Sequence, residues 1–289
     1  MYLRCVVHTC ICCVVHTCIC CVVLGGYDGL GPTPTHHHVQ QFFSSSPTAY
    51  NFHTSIYTHT AILSHTHTHT HTAMNAQISY LDNVDGSCLY SCNDTKVVAA
   101  ATGPVEPKAR QELPTQLALE LNVRPAAGVA TTREVNVQDK VRAVITPLLA
   151  AYKYPRQLCQ LTLQLLQSGE AEECFHCLEL VACVNAAVFA LVDAGVALTS
   201  VALGTTVAIT CNGQELVVDP SSEVLKSAQS VHSVVFQINE GKPQSVLLMD
   251  SFGDFSQEDI LRAMERAQVR VGELNSTFRK TILAKANIV

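Results

Sequence analysis

From residue 74 onward, apolar side chains recur with two different periods, and each switch of period marks an element. Residues 77–81 and 88–92 alternate apolar and polar positions around Asn83-Val84-Asp85-Gly86. A period of two sends successive side chains to opposite faces, and Asp-Gly is a tight-turn pair, so a β-hairpin is expected. Residues 95–102 (TKVVAAAT) read as a buried strand stopped by Gly103-Pro104, and residues 116–123 alternate again. Between residues 133 and 151 the period becomes helical: Val137, Val141, Val144, Ile145, Leu148 and Leu149 share one face, and Pro147 implies a kink or a restart. Residues 157–166 form another strand. Residues 177–194 are apolar nearly all round, the pattern of a helix packed between layers, and Gly195 suits the position just past its end. Two hairpins follow, residues 205–211 with 215–218 around Asn212-Gly213, and residues 231–238 with 245–249 joined through 239–243. A last helix is expected from a Ser256 cap to about residue 284, with Ile260, Leu261, Met264, Ala267, Val271 and Leu274 inward. Strands interspersed with helices in this order give an α+β fold of mixed sheets layered with helices.

Composition divides the chain at Met74. Of 13 His, 11 precede it, as do 7 of 14 Cys, whereas Arg4 and Asp28 are its only formal charges. Residues 5–12 (CVVHTCIC) are repeated unchanged at 13–20, and residues 65–72 are four His-Thr pairs. A CA dinucleotide tract translates as His-Thr, so this segment reads as a microsatellite-like stretch, with Met74 the expected start of the protein proper. Residues 1–73 are accordingly expected to be disordered or not genuinely part of the protein, and residues 74–289 to form one domain. Metal binding by the tract and a secretory leader are the competing readings. No C-x-x-C…H-x-x-x-H frame supports the first, and no small-residue cleavage site the second, so neither a metal nor a membrane is expected. The later cysteines lie mostly on apolar faces, as thiols of a reducing compartment do. Cys174-x-x-Cys177 stands at a helix start, a place that can lower a thiol pKa. With 48% hydrophobic residues, 15% charged and a net charge of −6, the chain is neither a disordered acidic protein nor a basic nucleic-acid binder.

Several motifs then coincide. Asp85-Gly86-Ser87, Asn93-Asp94-Thr95-Lys96-Val97 and Gly103-Pro104-Val105-Glu106-Pro107-Lys108 are followed by Ala109-Arg110-Gln111-Glu112-Leu113-Pro114. Gly128-Val129-Ala130-Thr131-Thr132-Arg133-Glu134, Tyr154-Pro155-Arg156-Gln157-Leu158 and Ala190-Leu191-Val192-Asp193-Ala194-Gly195 come next in order. Together, over residues 74–289, they resemble the RNase PH family, in particular its eukaryotic exosome ring subunits. The resemblance implies an RNase PH-like fold of βαβα halves. It implies a six-membered ring of heterodimers capped by RNA-binding subunits, with ribosomal RNA-processing protein 43 as dimer neighbour and RNA led through the channel. It also implies work on ribosomal, small nucleolar and messenger RNA in nucleus, nucleolus and cytoplasm, with no cofactor.

Active relatives cleave RNA with inorganic phosphate. That chemistry needs donors for an anion and an acid for the departing 3′ oxygen. The family's Gly-Gly-Thr-Arg phosphate segment is matched here by Cys177-Leu178-Glu179-Leu180, so a carboxylate replaces a hydroxyl and Leu180 replaces the arginine. An apparent insertion over residues 168–176 adds Glu170, Glu172 and Glu173, and these acids are expected to repel phosphate. The acidic pair falls at Asp219 and Leu225, so one carboxylate is lost; His232 is a structural strand residue or a proton donor. No catalytic residue is therefore expected, and the chain reads as a non-catalytic subunit. The alternative is a phosphorolytic subunit lending residues to a composite site. Arg110, Arg124 and Arg133 are the candidates for RNA contact, with surface charge or partner salt bridges the plainer role.

Overall fold

A computed structural model describes residues 74–170, 176–210 and 215–286. The expectations for residues 1–73, for Cys174, Glu172 and Glu173, and for the Asn212-Gly213 turn lie outside the described residues.

The first sheet holds β1 (Asn75–Ile78), β2 (Gly86–Cys92), β3 (Thr95–Val105), β4 (Ala118–Arg124) and β5 (Leu158–Gln167), in the order β1-β2-β3-β5-β4. Its pairs are antiparallel except β4 with β5, which the helix α1 (Thr132–Leu148) joins as a crossover. The second sheet is antiparallel throughout: β6 (Val201–Thr210), β7 (Leu216–Val218), β8 (Ala228–Asn239) and β9 (Lys242–Gly253), ordered β7-β6-β8-β9. The helix α2 (Cys177–Asp193) lies between the sheets, against β2 and β3 on one side and β6 and β8 on the other. A short helix, α3 (Ser222–Ser227), precedes β8, and α4 (Gln257–Ala286) closes the chain over β6 and β8.

The expected α+β architecture of layered sheets and helices is the one observed, and the departures from it are local. Strand β3 passes through Gly103-Pro104, a cis peptide bond, because the pairing shifts register between Thr102 and Val105. The Gly103 amide donates to the Asp85 carboxylate at 2.8 Å. The helix α1 runs through Pro147 without a restart and ends one residue later, and a single 3-10 turn covers Ala151–Lys153. The β8–β9 connection is only Glu240-Gly241, both at positive φ, the geometry a two-residue hairpin requires. Pro243 therefore sits inside β9, which is tolerated because β9 is an edge strand. Helix α3 is too short for its period to register in the sequence. Leu261 is 54% exposed, since the buried stripe of α4 is Ala263, Ala267, Val271, Leu274 and Phe278.

What fixes the arrangement is burial of α2. Fifteen of its 17 residues are buried, and each fully buried Val or Leu contributes about 1.5–3 kcal/mol. The one amide on the helix, Asn185, is fully buried but satisfied from both layers. Its side chain donates to Tyr90 Oη at 3.0 Å and to the Gly204 carbonyl at 3.1 Å, and accepts from the Gly204 amide at 2.8 Å. At the other end Asp193 accepts from the Ser87 amide at 2.8 Å and pairs with Lys285 of α4. Phe189 meets Phe278 in a tilted ring contact, centroids 4.5 Å apart, tying α4 to the same helix.

Strand β2 approaches α2 closely enough that only a glycine fits. A Cβ at Gly86 would lie 2.2 Å from the Ala194 nitrogen and 2.4 Å from the Ala190 carbonyl oxygen. Gly86→Ala is expected to destabilise the protein by about 2–3 kcal/mol. Gly272→Ala, in open space on α4, is expected to stabilise it by about 0.5–1 kcal/mol. Urea denaturation of the two variants beside the parent reads both.

Candidate functional site

The site is built where β5 hands the chain to α2. Hydroxyls of the second sheet hold the first helical turn in place: Ser233 Oγ and Thr206 Oγ1 both donate to the Cys177 carbonyl, at 3.2 and 3.4 Å. Helix amides here point away from the helix body and carry partial positive charge, which is how such a terminus attracts an anion. In this chain a side chain already satisfies one of them. The buried Glu170 carboxylate accepts from the Leu178 amide at 2.6 Å.

Glu179, one turn in, is equally committed. Its Oε1 accepts from Arg133 Nη2 at 2.9 Å and from Ser168 Oγ at 2.5 Å, and its Oε2 lies 3.7 Å from His176 Nδ1. Leu180 is buried in the core and offers no donor. The expectation that Glu179 acts as a repelling charge therefore changes in kind. It is the acceptor of a part-buried ion pair, because an unpaired carboxylate at 5% exposure would be prohibitively costly. Arg133 is positioned from α1 by a capping box. Glu134 Oε2 accepts from the Thr131 amide at 2.6 Å, and Thr131 Oγ1 accepts from the Arg133 amide at 3.3 Å.

The site's titrations follow from these contacts. Burial pushes the Glu170 carboxyl up to about 7, the Leu178 amide working against the shift and the nearby Glu179 charge adding to it. Burial, and then the Arg133 charge, depress His176 below the usual imidazole value. The Cys177 thiol is raised, as suits an inert structural cysteine: burial dominates, and the Glu170 carboxylate adds to it.

The acidic position retained in the second half is also spent. Asp219, at positive φ, accepts from Thr205 Oγ1 at 2.8 Å and from Arg270 Nε at 2.8 Å, with side-chain exposures of only 7% and 11% for the pair. Leu225, on α3, packs against the small apolar cluster of Cys177, Ala208 and Val231. His232 is buried between Ser230 Oγ at 3.1 Å and Ser251 Oγ at 2.8 Å, which is a satisfied structural histidine. Of the three arginines proposed for RNA, Arg110 is exposed in the turn after β3 and Arg124 is exposed at the end of β4. Arg133 is the exception, held on Glu179. Sequence reading missed Glu170 as a helix cap, since nothing in its spacing announces it. It also missed Arg270, although residues 263, 267, 270 and 274 keep helical spacing and a charge on that stripe signals a buried partner.

A carboxyl whose folded pKa is raised favours the protonated form. Stability from Glu170 is therefore full below the unfolded value of 4.5 and is lost as pH climbs through about 7. With a chelator present, Glu170→Gln is expected to gain on the parent between pH 5 and pH 8, by up to about 3 kcal/mol. Urea midpoints at several pH values read this, and a constant difference across that range would contradict it.

Comparison with known proteins agrees with this geometry. Residues 72–197 match the model of the 3′ exoribonuclease family, domain 1. The chain is 50% identical to exosome complex component RRP46 of Saccharomyces cerevisiae over 212 residues, which is 73% of this chain and 95% of the yeast protein. It is 24% identical to exosome complex component rrp46 of Schizosaccharomyces pombe, over 73% of this chain and 90% of the relative. In fold it is similar to the crystal structure of rice (Oryza sativa) Rrp46, with a TM-score of 0.65 at 22% identity, covering 74% of this chain and 95% of the rice chain. The sheets, the sandwiched helix and these relatives lead to one statement: the chain belongs to the RNase PH family, among its exosome components.

Proposed function

We propose that this chain is a non-catalytic ring subunit of the exosome core, serving 3′-to-5′ RNA processing and degradation through assembly and RNA channelling. The observation that carries the reading is the head of α2. Where a phosphorolytic relative would present amides and an arginine to phosphate, the Leu178 amide here is held by Glu170 and Arg133 is held by Glu179. An incoming phosphate would have to displace the Glu170 carboxylate from the helix terminus, approaching it to a few ångströms, while Glu179 keeps Arg133 from serving as its counter-ion. At that distance like charges repel by about one to several kcal/mol. The second requirement meets a similar obstacle: the Asp219 carboxylate is already engaged by Arg270 and Thr205, so it is not free to reach the departing 3′ oxygen.

On this reading the protein acts through surfaces. Its neighbours are other RNase PH-like ring subunits, with ribosomal RNA-processing protein 43 as dimer partner, and RNA-binding cap subunits above them. RNA passes along the assembled channel in nucleus, nucleolus and cytoplasm. Of the three candidate arginines, the exposed Arg110 and Arg124 are the ones left available to phosphates. A net charge of −6 leaves little for independent nucleic-acid affinity, so RNA contact is a property of the assembly.

Incubating the full chain with 3′-hydroxyl RNA and inorganic phosphate is expected to release no nucleoside diphosphate. In a salt titration the lone chain is expected to bind RNA far more weakly than the assembled ring. Diphosphate release that Asp219→Asn abolishes, or tight RNA binding by the isolated chain, would overturn the reading.

A further inference from the structure

The cluster that holds phosphate away has the composition of a cation site. Glu170, His176 and Glu179 each offer one ligand atom, and these atoms lie within 4.8 Å of one another. Two buried atoms in the cluster, Glu170 Oε2 and His176 Nδ1, have no hydrogen-bond partner. Glu170 is 8% exposed, and the Leu178 amide on its other oxygen fixes the carboxyl plane. An acceptor buried this deeply and left unused has an uncompensated desolvation cost, and such an atom calls for a proton or a cation.

The charges favour the cation. Two carboxylates face one guanidinium, because Arg133 takes only Glu179 Oε1. Glu134 at the start of α1 adds a further negative charge, and Lys140 a positive one, at longer range. His176, the residue just before α2, brings an imidazole nitrogen to the same cluster. A neutral imidazole is the form that ligates metal. Around a first-row ion with bonds of about 2.0–2.2 Å, neighbouring ligands stand about 3–3.5 Å apart. The three ligand atoms already lie within 4.8 Å of one another, so the cluster needs to contract by less than about 2 Å to reach that spacing. Two carboxylate oxygens, one imidazole nitrogen and no thiolate favour manganese over the softer metals.

We infer that Glu170, His176 and Glu179 form a three-ligand site for a first-row divalent cation of the Mn²⁺ class, water completing the coordination. Such an ion ties the end of the β5–α2 connection to the first turn of α2 and places positive charge between the two carboxylates. This departs from the absence of metal expected from the sequence, where the three residues belong to no spacing motif. It stands independently of ring membership and of phosphorolysis.

The test is a Mn²⁺ titration of the full, metal-stripped chain followed by electron paramagnetic resonance, beside Glu170→Gln. The His-Thr pairs at residues 65–72 are common to both proteins, so the difference reads the site alone. In E170Q the side-chain amide oxygen can still accept from the Leu178 amide, so the helix cap is kept while the ligating charge is removed. The parent is expected to bind one more equivalent of Mn²⁺ than E170Q, or to fill that site at least about tenfold more tightly. Mn²⁺ should also raise the thermal midpoint of the parent and leave that of E170Q in place. If circular dichroism shows E170Q unfolded, His176→Ala provides the same comparison. Equal Mn²⁺ binding and equal thermal shifts in parent and folded variant would overturn the inference.

Discussion

Burial of one helix between two sheets is the constraint from which the rest follows. Because α2 is covered on nearly every side, each polar group on it must be satisfied by the layers that enclose it. Asn185 meets this demand with Tyr90 on one side and Gly204 on the other, and the Asp193 carboxylate meets it with Ser87 and Lys285. Gly86 lets β2 come close enough to the last turn for those bonds to form. The helix is therefore fixed in position by hydrogen bonds at its middle and at its C-terminal end, while apolar burial supplies the bulk of the driving force.

The same demand at the N-terminal end gives the site its character. A buried helix terminus presents amides that need an acceptor, and a chain that takes phosphate there must keep that acceptor exchangeable. Here the acceptor is covalently part of the chain. Glu170 supplies it, and the excess negative charge that Glu179 brings is offset by Arg133 from a third element. The second half of the domain repeats the logic: Asp219 is neutralised by Arg270, and Leu225 has become part of an apolar contact. Both places where phosphorolytic chemistry would need an available group hold groups already bound to the protein's own residues.

How far this could be seen in the sequence depended on range. Period-two and helical patterns located the two sheets, α1, α2 and α4 because those elements are set by which face is buried. Turn chemistry pointed to the β1–β2 hairpin but not to its loop: residues 79–85 connect the strands, and Gly86 is the first residue of β2 rather than part of a tight Asp-Gly turn. The β8–β9 turn lies inside the expected connection 239–243 but is shorter, Glu240-Gly241 alone, because Pro243 is accommodated in β9 as an edge strand. The departure of residues 177–180 from the family's phosphate segment was legible from Glu179 and Leu180. The meaning of Glu179 was not, since Arg133 lies 46 residues away and meets it only through the packing of α1 on α2. Glu170 gave no sign of its role as a cap, and Arg270 showed only as a charge on a helical stripe, because the buried group that each answers is fixed by the packing.

The claim that the protein's own carboxylates fill the anion position is tested most directly by phosphate itself. Titrating the full chain into inorganic phosphate and following the ³¹P line width and shift measures occupancy without requiring turnover. The account predicts no saturable binding at neutral pH through millimolar phosphate. Saturable binding of one phosphate per chain, weakened by Arg133→Ala, would contradict it.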